Sequence, residues 1–362
     1  MITLKLNRLT LSQFKTILGV FGLILISTLI LFWSPLTTRL FGPDVEVVAQ
    51  NLTNPWEVAF LPDRDLLVTE RSGTLRRIGK NGQVFTVEGV EHIGEGGLLG
   101  MALHPRFSEN NLLYLYLTTK SGEGLTNRVD RYYYANDQLT DKKTIISDIP
   151  GAVIHDGGRI AFGPDGFLYI TTGDAGNAAA AQEKNSLAGK ILRLKDDGNV
   201  PADNPFGSAI YSWGHRNPQG LAWDSSGQLW ATEHGSSGHD ELNLIKSGAN
   251  YGWPEIQGDG ERAGMERPAA HSGSDTWAPS GLAYLGGSLF FGGLRGESVF
   301  QTKITGTRLS TPVAYYRGEF GRIRAVAVGP DGYFYVTTSN SGSAPRALDD
   351  KIIKIKISTF GN

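Results

Sequence analysis

The sequence predicts an all-β fold, a six-bladed β-propeller of four-stranded antiparallel blades. One pattern occurs six times: a short apolar strand, a Pro/Asp/Gly turn, and a second strand of alternating aromatic and β-branched residues. The composition agrees, because 47 glycines, 16 prolines and only 19% charged residues suit many short strands joined by tight turns. Beyond the N-terminal segment no stretch has helical periodicity for more than a turn or two, which disfavours an α/β fold.

The spacing of the repeats fits one blade each. Successive copies begin about 44 to 61 residues apart, which is enough for four strands and a variable loop. The copies begin at Glu57, Met101, Ile160, Leu221, Leu282 and Val326. In the turns, Pro fixes φ, Asp binds its local backbone and Gly adopts positive φ, so the two strands form a hairpin. We expect the functional site where inner strands and loops converge on the central channel.

The first forty residues differ from the rest of the chain. Lys5, Arg8 and Lys15 precede an apolar run from about Ile17 to Trp33. This run exceeds a typical signal-peptide core and has no evident small-residue cleavage site, so we expect residues 1–40 to be a transmembrane anchor helix and 41–362 the propeller. The basic flank places the propeller on the periplasmic or extracellular side of a membrane. Cleavage of the segment, and secretion of the protein, is the alternative.

Charge and cysteine content exclude several functions. A formal net charge of -2 without a basic run in the body gives no field for phosphates, so we expect no nucleic-acid partner. The chain has no cysteine, which excludes disulfides, thiolate metal sites and covalent haem attachment.

The third repeat brings a histidine and an aspartate together. His155 lies just before its first strand and Asp174 just after its second, and the ends of a hairpin lie side by side. A carboxylate that orients an imidazole raises its basicity, so the pair could accept a substrate proton. A turn aspartate beside a histidine bonded to backbone is the alternative interpretation.

Polar residues also flank the fourth repeat and the late part of the chain. Arg216 and Asn217 could bind an anionic or carbonyl-rich ligand, or could form a turn that joins two blades. Arg295, Arg322 and Arg324 lie in segments that lead to the channel, where they could bind an anion; exposed surface arginines are the alternative.

Several long motifs resemble the glucose/sorbosone dehydrogenase family, and its aldose sugar dehydrogenase branch in particular. They are HDGGR, GDAG, GHRNPQG, TEHGSSGHDELNLI, NYGWP and GEGGLLGMALHP, and the similarity extends from about Val45 to Ile357. The resemblance implies a six-bladed propeller that holds pyrroloquinoline quinone and calcium over its channel. It also implies oxidation of the C1 hydroxyl of aldose sugars to the lactone.

The resemblance assigns roles to the polar residues at the channel. His155 would be the general base that takes the C1 hydroxyl proton, and Asp174 would orient it. Arg216 would take part in catalysis and, with Asn217, hold the quinone oxygens. The further cofactor-binding residues would be His234, Arg295, Arg322 and Arg324. Soluble glucose dehydrogenases of the family have Lys at the position of Arg295.

The same resemblance implies sugar and calcium contacts. Glu95 stands where soluble glucose dehydrogenases have a Gln that contacts sugar, and Trp277 resembles the aromatic residue on the sugar side of the quinone. The carbonyls of Gly235 and Ser236 would bind one calcium ion, although the family usually has Pro after that Gly. Glu241 and Tyr251 would bind a second, structural ion.

Three functions remain open at this stage. The first is a quinoprotein dehydrogenase that passes electrons to an external quinone or cytochrome, as a monomer or weak dimer. The second is a calcium-dependent lactone hydrolase of propeller fold, which binds its metal through carboxylates and amides and has no need of three arginines. The third is a propeller that binds partners without catalysis.

Overall fold

A computed structural model describes residues 44–79, 82–122, 124–341 and 350–361. From Val45 onwards they form six antiparallel sheets, which confirms the predicted six blades. The predicted anchor at 1–40, and its boundary with the propeller, lie outside the described residues. Within those residues, no helix has the length and apolar character to span a membrane.

Within the ranges that the structure describes, twenty-five strands make up the blades. Blade 1 contains β2 (Pro55–Phe60), β3 (Leu66–Glu70), β4 (Thr74–Ile78) and β5 (Gln83–Thr86). Blade 2 contains β6 (Leu98–Leu103), β7 (Leu112–Ser121), β8 (Gly124–Ala135) and β9 (Gln138–Pro150). Blade 3 contains β10 (Ile160–Phe162), β11 (Leu168–Thr172), β12 (Lys190–Leu194) and β13 (Ile210–Trp213). Blade 4 contains β14 (Pro218–Trp223), β15 (Leu229–Glu233), β16 (Glu241–Ile245) and β17 (Ala270–His271).

Blades 5 and 6 depart from the simple pattern. Blade 5 contains β18 (Pro279–Leu285), β19 (Ser288–Gly293), β20 (Val299–Thr305), the short β21 (Arg308–Leu309) and β22 (Val313–Tyr315), and both short strands pair with β20. Blade 6 contains β23 (Ile323–Val328), β24 (Tyr333–Thr338), β25 (Asp350–Lys356) and the N-terminal strand β1 (Val45–Leu52). The described helical segments are α1 (Phe107–Asn110) and the 3₁₀ turns Ala178–Gln182 and Ile357–Thr359.

The repeats in the sequence are the first two strands of each blade. The first strand of a blade packs beside the first strand of a neighbouring blade, as β2 does with β6 and with β23. Residues near the starts of these inner strands line one cavity, and residues towards their ends line another. The channel therefore has two mouths, which we call the upper mouth (strand starts) and the lower mouth (strand ends).

Apolar side chains fill the spaces between blades. Tyr114 and Tyr116 of blade 2 pack with Ile170 and Leu192 of blade 3, and all four are fully buried. The alternation of side chains along a strand places residues on both faces of a blade, and each face is covered by a neighbour. The core is thus distributed around the ring and leaves the axis for polar groups.

The ring is closed by the N-terminal strand. β1 pairs antiparallel with β25, with Val45 opposite Ile355 and Leu52 opposite Asp350. Asp350 is fully buried, and its carboxylate accepts hydrogen bonds from the backbone N–H groups of Asn54 (2.9 Å) and Asn340. One carboxylate therefore ties the beginning of blade 1 to the end of blade 6.

We expect Asp350→Ala to lower the free energy of unfolding by about 2 to 4 kcal/mol, because buried backbone donors lose their acceptor. Urea unfolding followed by far-UV circular dichroism measures this change. Glu88→Ala, which removes an exposed carboxylate, serves as the control and should stay within about 0.5 kcal/mol of the unchanged protein. Equal losses in the two variants would contradict the closing role of Asp350.

Candidate functional site

The upper mouth opens into a cavity of about 630 Å³. Its wall is strongly polar and combines four arginines with a few acceptors. The polar side chains that line it include Arg71, Glu95, Gln219, His234, Arg295, Glu297, Arg322, Arg324 and Asn340. A cavity of this size can hold a small-molecule ligand.

His155 and Asp174 meet beside this cavity. The imidazole Nδ1 lies 2.7 Å from Asp174 Oδ1, and Trp253 Nε1 donates to Asp174 Oδ2 at 2.8 Å. The hairpin of β10 and β11 brings the two residues together, and a side chain at Gly173 would collide with the carbonyl of His155. Burial opposes ionisation of Asp174, but its bond and charge interaction with His155 hold the pKa of the carboxyl below its usual value.

Glu95 contacts the backbone of His155. The Glu95 carboxylate accepts the His155 N–H at 2.8 Å, and His155 adopts a left-handed backbone conformation with φ of 61°. A non-glycine residue in that region needs support from its surroundings. The structure therefore places Glu95 at the cavity wall as a residue that supports the histidine.

Arg216, Asn217 and His234 are brought together by two neighbouring loops. Arg216 Nη1 donates to the carbonyl of His234 at 3.3 Å, and the Asn217 side chain accepts the N–H of Gly157 at 3.0 Å. The buried carboxylate of Glu233 accepts the Arg216 N–H and lies 2.8 Å from His215 Nδ1. Sequence reasoning missed this role of Glu233, although the residue immediately precedes His234.

Two of the three late arginines lie deep in the upper mouth, and the third is exposed at its rim. Arg324 is 8% exposed and donates to the Gln219 side chain, whereas Arg322 donates to the carbonyl of Leu294 at 3.0 Å. Arg295 is exposed. Burial, followed by the charges of Arg71 and Arg322, lowers the pKa of Arg324 to about 9. Burial and the neighbouring like charges thus destabilise the charged form of Arg324.

Arg71 is a fourth cation that sequence reasoning missed. It follows β3 and is buried, and its guanidinium donates to the carbonyls of Gly94 and Gly96. The only sequence signal was an arginine directly after the second strand of an inner hairpin, the place that His234 occupies in blade 4. Burial lowers the pKa of Arg71, while the charge of Glu95 raises it.

Several buried polar atoms at the upper mouth have no hydrogen-bond partner among the described residues. They are Arg216 Nε, Asn217 Nδ2, His234 Nε2, Arg322 Nε and Arg324 Nε. Burial, with the charges of Arg324 and Arg216, lowers the pKa of His234 to about 3, so its ring is neutral at pH 7. Buried polar atoms are normally satisfied, and the four N–H donors of Arg216, Asn217, Arg322 and Arg324 in this set fit an anionic, oxygen-rich ligand.

Gly235 and Ser236 follow β15 at the edge of the same site. Gly235 leaves no room for a side chain, because a Cβ there would lie 2.1 Å from the carbonyl oxygen of Gly238. The Gly235 N–H donates to Asp240 Oδ1 at 2.9 Å, and Asp240 Oδ2 accepts the N–H of Trp277 at 2.7 Å. Asp240, which sequence reasoning did not assign, therefore joins the predicted calcium loop to the predicted sugar contact.

Trp277 lies beside the upper cavity. It packs on Phe291 and Phe300, with ring centroids 5.6 and 5.9 Å away, and lines an adjoining cavity of about 360 Å³ that shares Arg295 with the upper one. Its ring is partly exposed, as a ligand-contacting aromatic would be.

Glu241 and Tyr251 lie behind the site. Asn243 donates to both Glu233 and Glu241 at 3.2 Å, and the Tyr251 ring stacks on His215 at 4.7 Å. Burial, followed by the charge of Glu233, raises the pKa of Glu241 to about 8. In the part of the chain that the structure describes, no three His, Asp or Glu side chains form a metal-binding group.

Comparisons with known proteins agree with the fold and show the family of this chain. Residues 52–347 match the Glucose / Sorbosone dehydrogenase family. The chain is 35% identical over 338 residues to the aldose sugar dehydrogenase YliI of Escherichia coli, covering 82% of this chain and 90% of that protein. It is 37% identical over 253 residues to the quinoprotein glucose dehydrogenase B of Acinetobacter calcoaceticus, covering 59% and 53%. The solved PQQ-bound aldose sugar dehydrogenase of Streptomyces coelicolor is similar with a TM-score of 0.81 and 44% identity, covering 86% of this chain and 97% of that one.

The pKa of Glu241 predicts a pH dependence of stability. Because the folded carboxyl holds its proton up to about pH 8 and the unfolded one loses it near 4.5, folding binds a proton between these values. The contribution of Glu241 to the free energy of unfolding therefore falls as pH rises through this window. In the presence of a chelator, the free energy of unfolding measured with urea should be lower at pH 7.5 than at pH 5. Glu241→Gln should reduce this difference by more than about 1 kcal/mol. Parallel pH profiles would contradict the shift.

Proposed function

Because this chain belongs to the glucose/sorbosone dehydrogenase family, as its motifs predict, we propose that it oxidises the C1 hydroxyl of aldose sugars to the lactone as a quinoprotein oxidoreductase. The observation that carries the proposal is the set of unpaired donors at the upper mouth, next to the His155–Asp174 pair. Pyrroloquinoline quinone is the cofactor we propose.

The donor set fits this cofactor chemically. A flat tricarboxylate needs cations when it leaves water, and guanidinium groups bind carboxylates in a bidentate manner. Arg295, Arg322 and Arg324 would hold its carboxylates and Arg216 and Asn217 its quinone oxygens, with His234 as a further cofactor contact. When bound, the quinone supplies the two-electron acceptor for the hydride from C1. The arginines make a lactone hydrolase a poorer interpretation of the same cavity.

His155 would take the proton of the C1 hydroxyl. Its Nδ1 is engaged with Asp174, which leaves Nε2 as the acceptor. Asp174 stays ionised because its pKa is low, so it stabilises the imidazolium that forms. Glu95 fixes the backbone of His155, and both Glu95 and Trp277 would face the sugar.

Calcium is part of the proposal. The carbonyls of Gly235 and Ser236 are hard oxygen ligands that suit this ion, which would act there as a Lewis acid. A second ion near Glu241 and Tyr251 would relieve the repulsion between Glu233 and Glu241. We also propose an external electron acceptor, an N-terminal membrane anchor with the propeller outside the cytoplasm, and a monomeric or weakly dimeric protein.

We expect His155→Ala to lower kcat with aldoses by about 100- to 10,000-fold, because general-base help is lost. Asp174→Asn should show a smaller loss, since the imidazole keeps a partner but not its charge. Dye reduction by protein reconstituted with quinone and calcium measures both rates, and cofactor absorbance shows that binding is retained. Unchanged turnover in His155→Ala would refute the role of the base.

We expect Arg324→Ala to raise the quinone concentration for half-activation by about tenfold or more, because a buried cation that binds an anion is lost. Titration of the cofactor-free protein with quinone, followed by cofactor absorbance, measures this change. Arg308→Ala, at an exposed position on β21, is the matched control and should titrate like the unchanged protein. Equal titration curves for the two variants would contradict the role of Arg324.

A further inference from the structure

A second cavity, of about 400 Å³, lies at the lower mouth of the channel. Residues of the inner strands line it, and most of them are apolar, such as Met101, Ala161, Leu221 and Val326. The upper mouth gathers cations, whereas this mouth presents an apolar rim. The two ends of the same channel therefore suit different ligands.

A single ion pair supplies the charge in the lower cavity. Arg159 and Glu57 both line the cavity, and Arg159 Nη1 donates to the Glu57 carboxylate. Arg159 is 5% exposed, and its Nε donates to the carbonyl of Gln219 at 2.8 Å. Its Nη2 has no hydrogen-bond partner among the described residues. A buried guanidinium with an unused donor is unfavourable unless an acceptor reaches it.

The charge of this pair selects the kind of acceptor. Glu57 already neutralises Arg159, so an added carboxylate would be repelled by Glu57 and gain no net countercharge. A neutral carbonyl oxygen can accept the spare N–H without that repulsion. The apolar rim favours a flat apolar ring behind the carbonyl.

One indole ring connects the lower cavity to the upper one. The Arg159 guanidinium lies 4.1 Å from the centroid of Trp56, and that of Arg324 lies 5.7 Å from the same centroid. Arg324 lines the upper cavity and Arg159 the lower one. Trp56 is 1% exposed, so its ring is shielded from bulk solvent.

We infer that the lower mouth binds a neutral benzoquinone-type electron acceptor, whose ring carbonyl accepts a hydrogen bond from Arg159 Nη2. This inference rests on the proposed function, for which it names the chemical class of the acceptor. The sugar loses two electrons and two protons to become the lactone, and the benzoquinone gains two of each to become the hydroquinone. The electrons pass from the upper cavity to the lower one by way of Trp56. The protons released from the sugar leave through the upper mouth, and the protons taken up by the benzoquinone enter from water at the lower mouth.

Binding without turnover tests the site directly. The cofactor-loaded protein, in which the upper cavity is filled, is titrated in the absence of sugar with 2,3-dimethoxy-5-methyl-1,4-benzoquinone by calorimetry. We expect one site per chain. Ala161→Leu, which narrows the lower cavity, should weaken binding at least tenfold. Ala314→Leu, a partly buried alanine on an outer strand, is the matched control and should bind like the unchanged protein.

A second variant removes the hydrogen-bond donor and keeps the charge balanced. The double substitution Glu57→Gln with Arg159→Gln should also weaken binding at least tenfold, and circular dichroism shows whether the variant is folded. With an aldose as donor, the rate with benzoquinone relative to the rate with ferricyanide should fall at least tenfold in Ala161→Leu. The same ratio should stay within twofold in Ala314→Leu.

The outcomes separate this inference from the proposed function. The lower site would be overturned, and the proposed function left intact, by a protein that oxidises aldoses with ferricyanide but binds no benzoquinone. The same conclusion would follow if Ala161→Leu bound benzoquinone as tightly as the unchanged protein. Benzoquinone binding that Ala161→Leu weakens, without aldose oxidation by any acceptor, would overturn the proposed function and the electron route. The inference is supported if benzoquinone binding and the ratio of the benzoquinone rate to the ferricyanide rate both fall in Ala161→Leu and neither falls in Ala314→Leu.

Discussion

The concentration of guanidinium groups at one end of a protein channel is the constraint on which the rest of this structure depends. Burial lowers the pKa of Arg71, Arg322 and Arg324, and the positive charge of neighbouring arginines lowers each of them further. Such an arrangement is unfavourable by itself, since like charges in a partly desolvated site repel. It becomes favourable when an anion enters. The fold therefore maintains a cluster of like charges that a bound anion would stabilise.

Buried carboxylates hold the loops that carry this charge. Glu233 binds the backbone of Arg216, Asp240 joins the Gly235 loop to Trp277, and Glu95 supports His155. In each case a side chain accepts backbone N–H groups that no strand satisfies at a blade end. Asp350 does the same where the ring closes. The polar groups at the axis are thus positioned by other polar groups, while the apolar core between the blades keeps the ring rigid.

The ends of the channel divide the chemistry. The six inner strands start at the upper mouth, where the loops between strands and blades bring cations, a histidine and carbonyl groups together. They end at the lower mouth, where mostly apolar strand residues line the cavity and the Arg159–Glu57 pair supplies its charge. The inner strand runs in the same direction in every blade. The position of a residue within its repeat therefore decides which mouth its side chain reaches.

The amino-acid sequence by itself determined the number of blades, their inner hairpins and the meeting of His155 with Asp174. These features follow from local rules: period-two alternation, turn chemistry, and the proximity of hairpin ends. The partnership of β1 with β25, the fourth arginine Arg71, and the roles of Glu233 and Asp240 were decided only by the tertiary structure. The pairing of β1 with β25 and the position of Arg71 depend on contacts between segments far apart in the chain, whereas the roles of Glu233 and Asp240 depend on the geometry of loops at strand ends. No periodic pattern records either kind of contact. Arg71 illustrates the reason, since an arginine at a strand end is ordinary until ring closure places it beside Arg324.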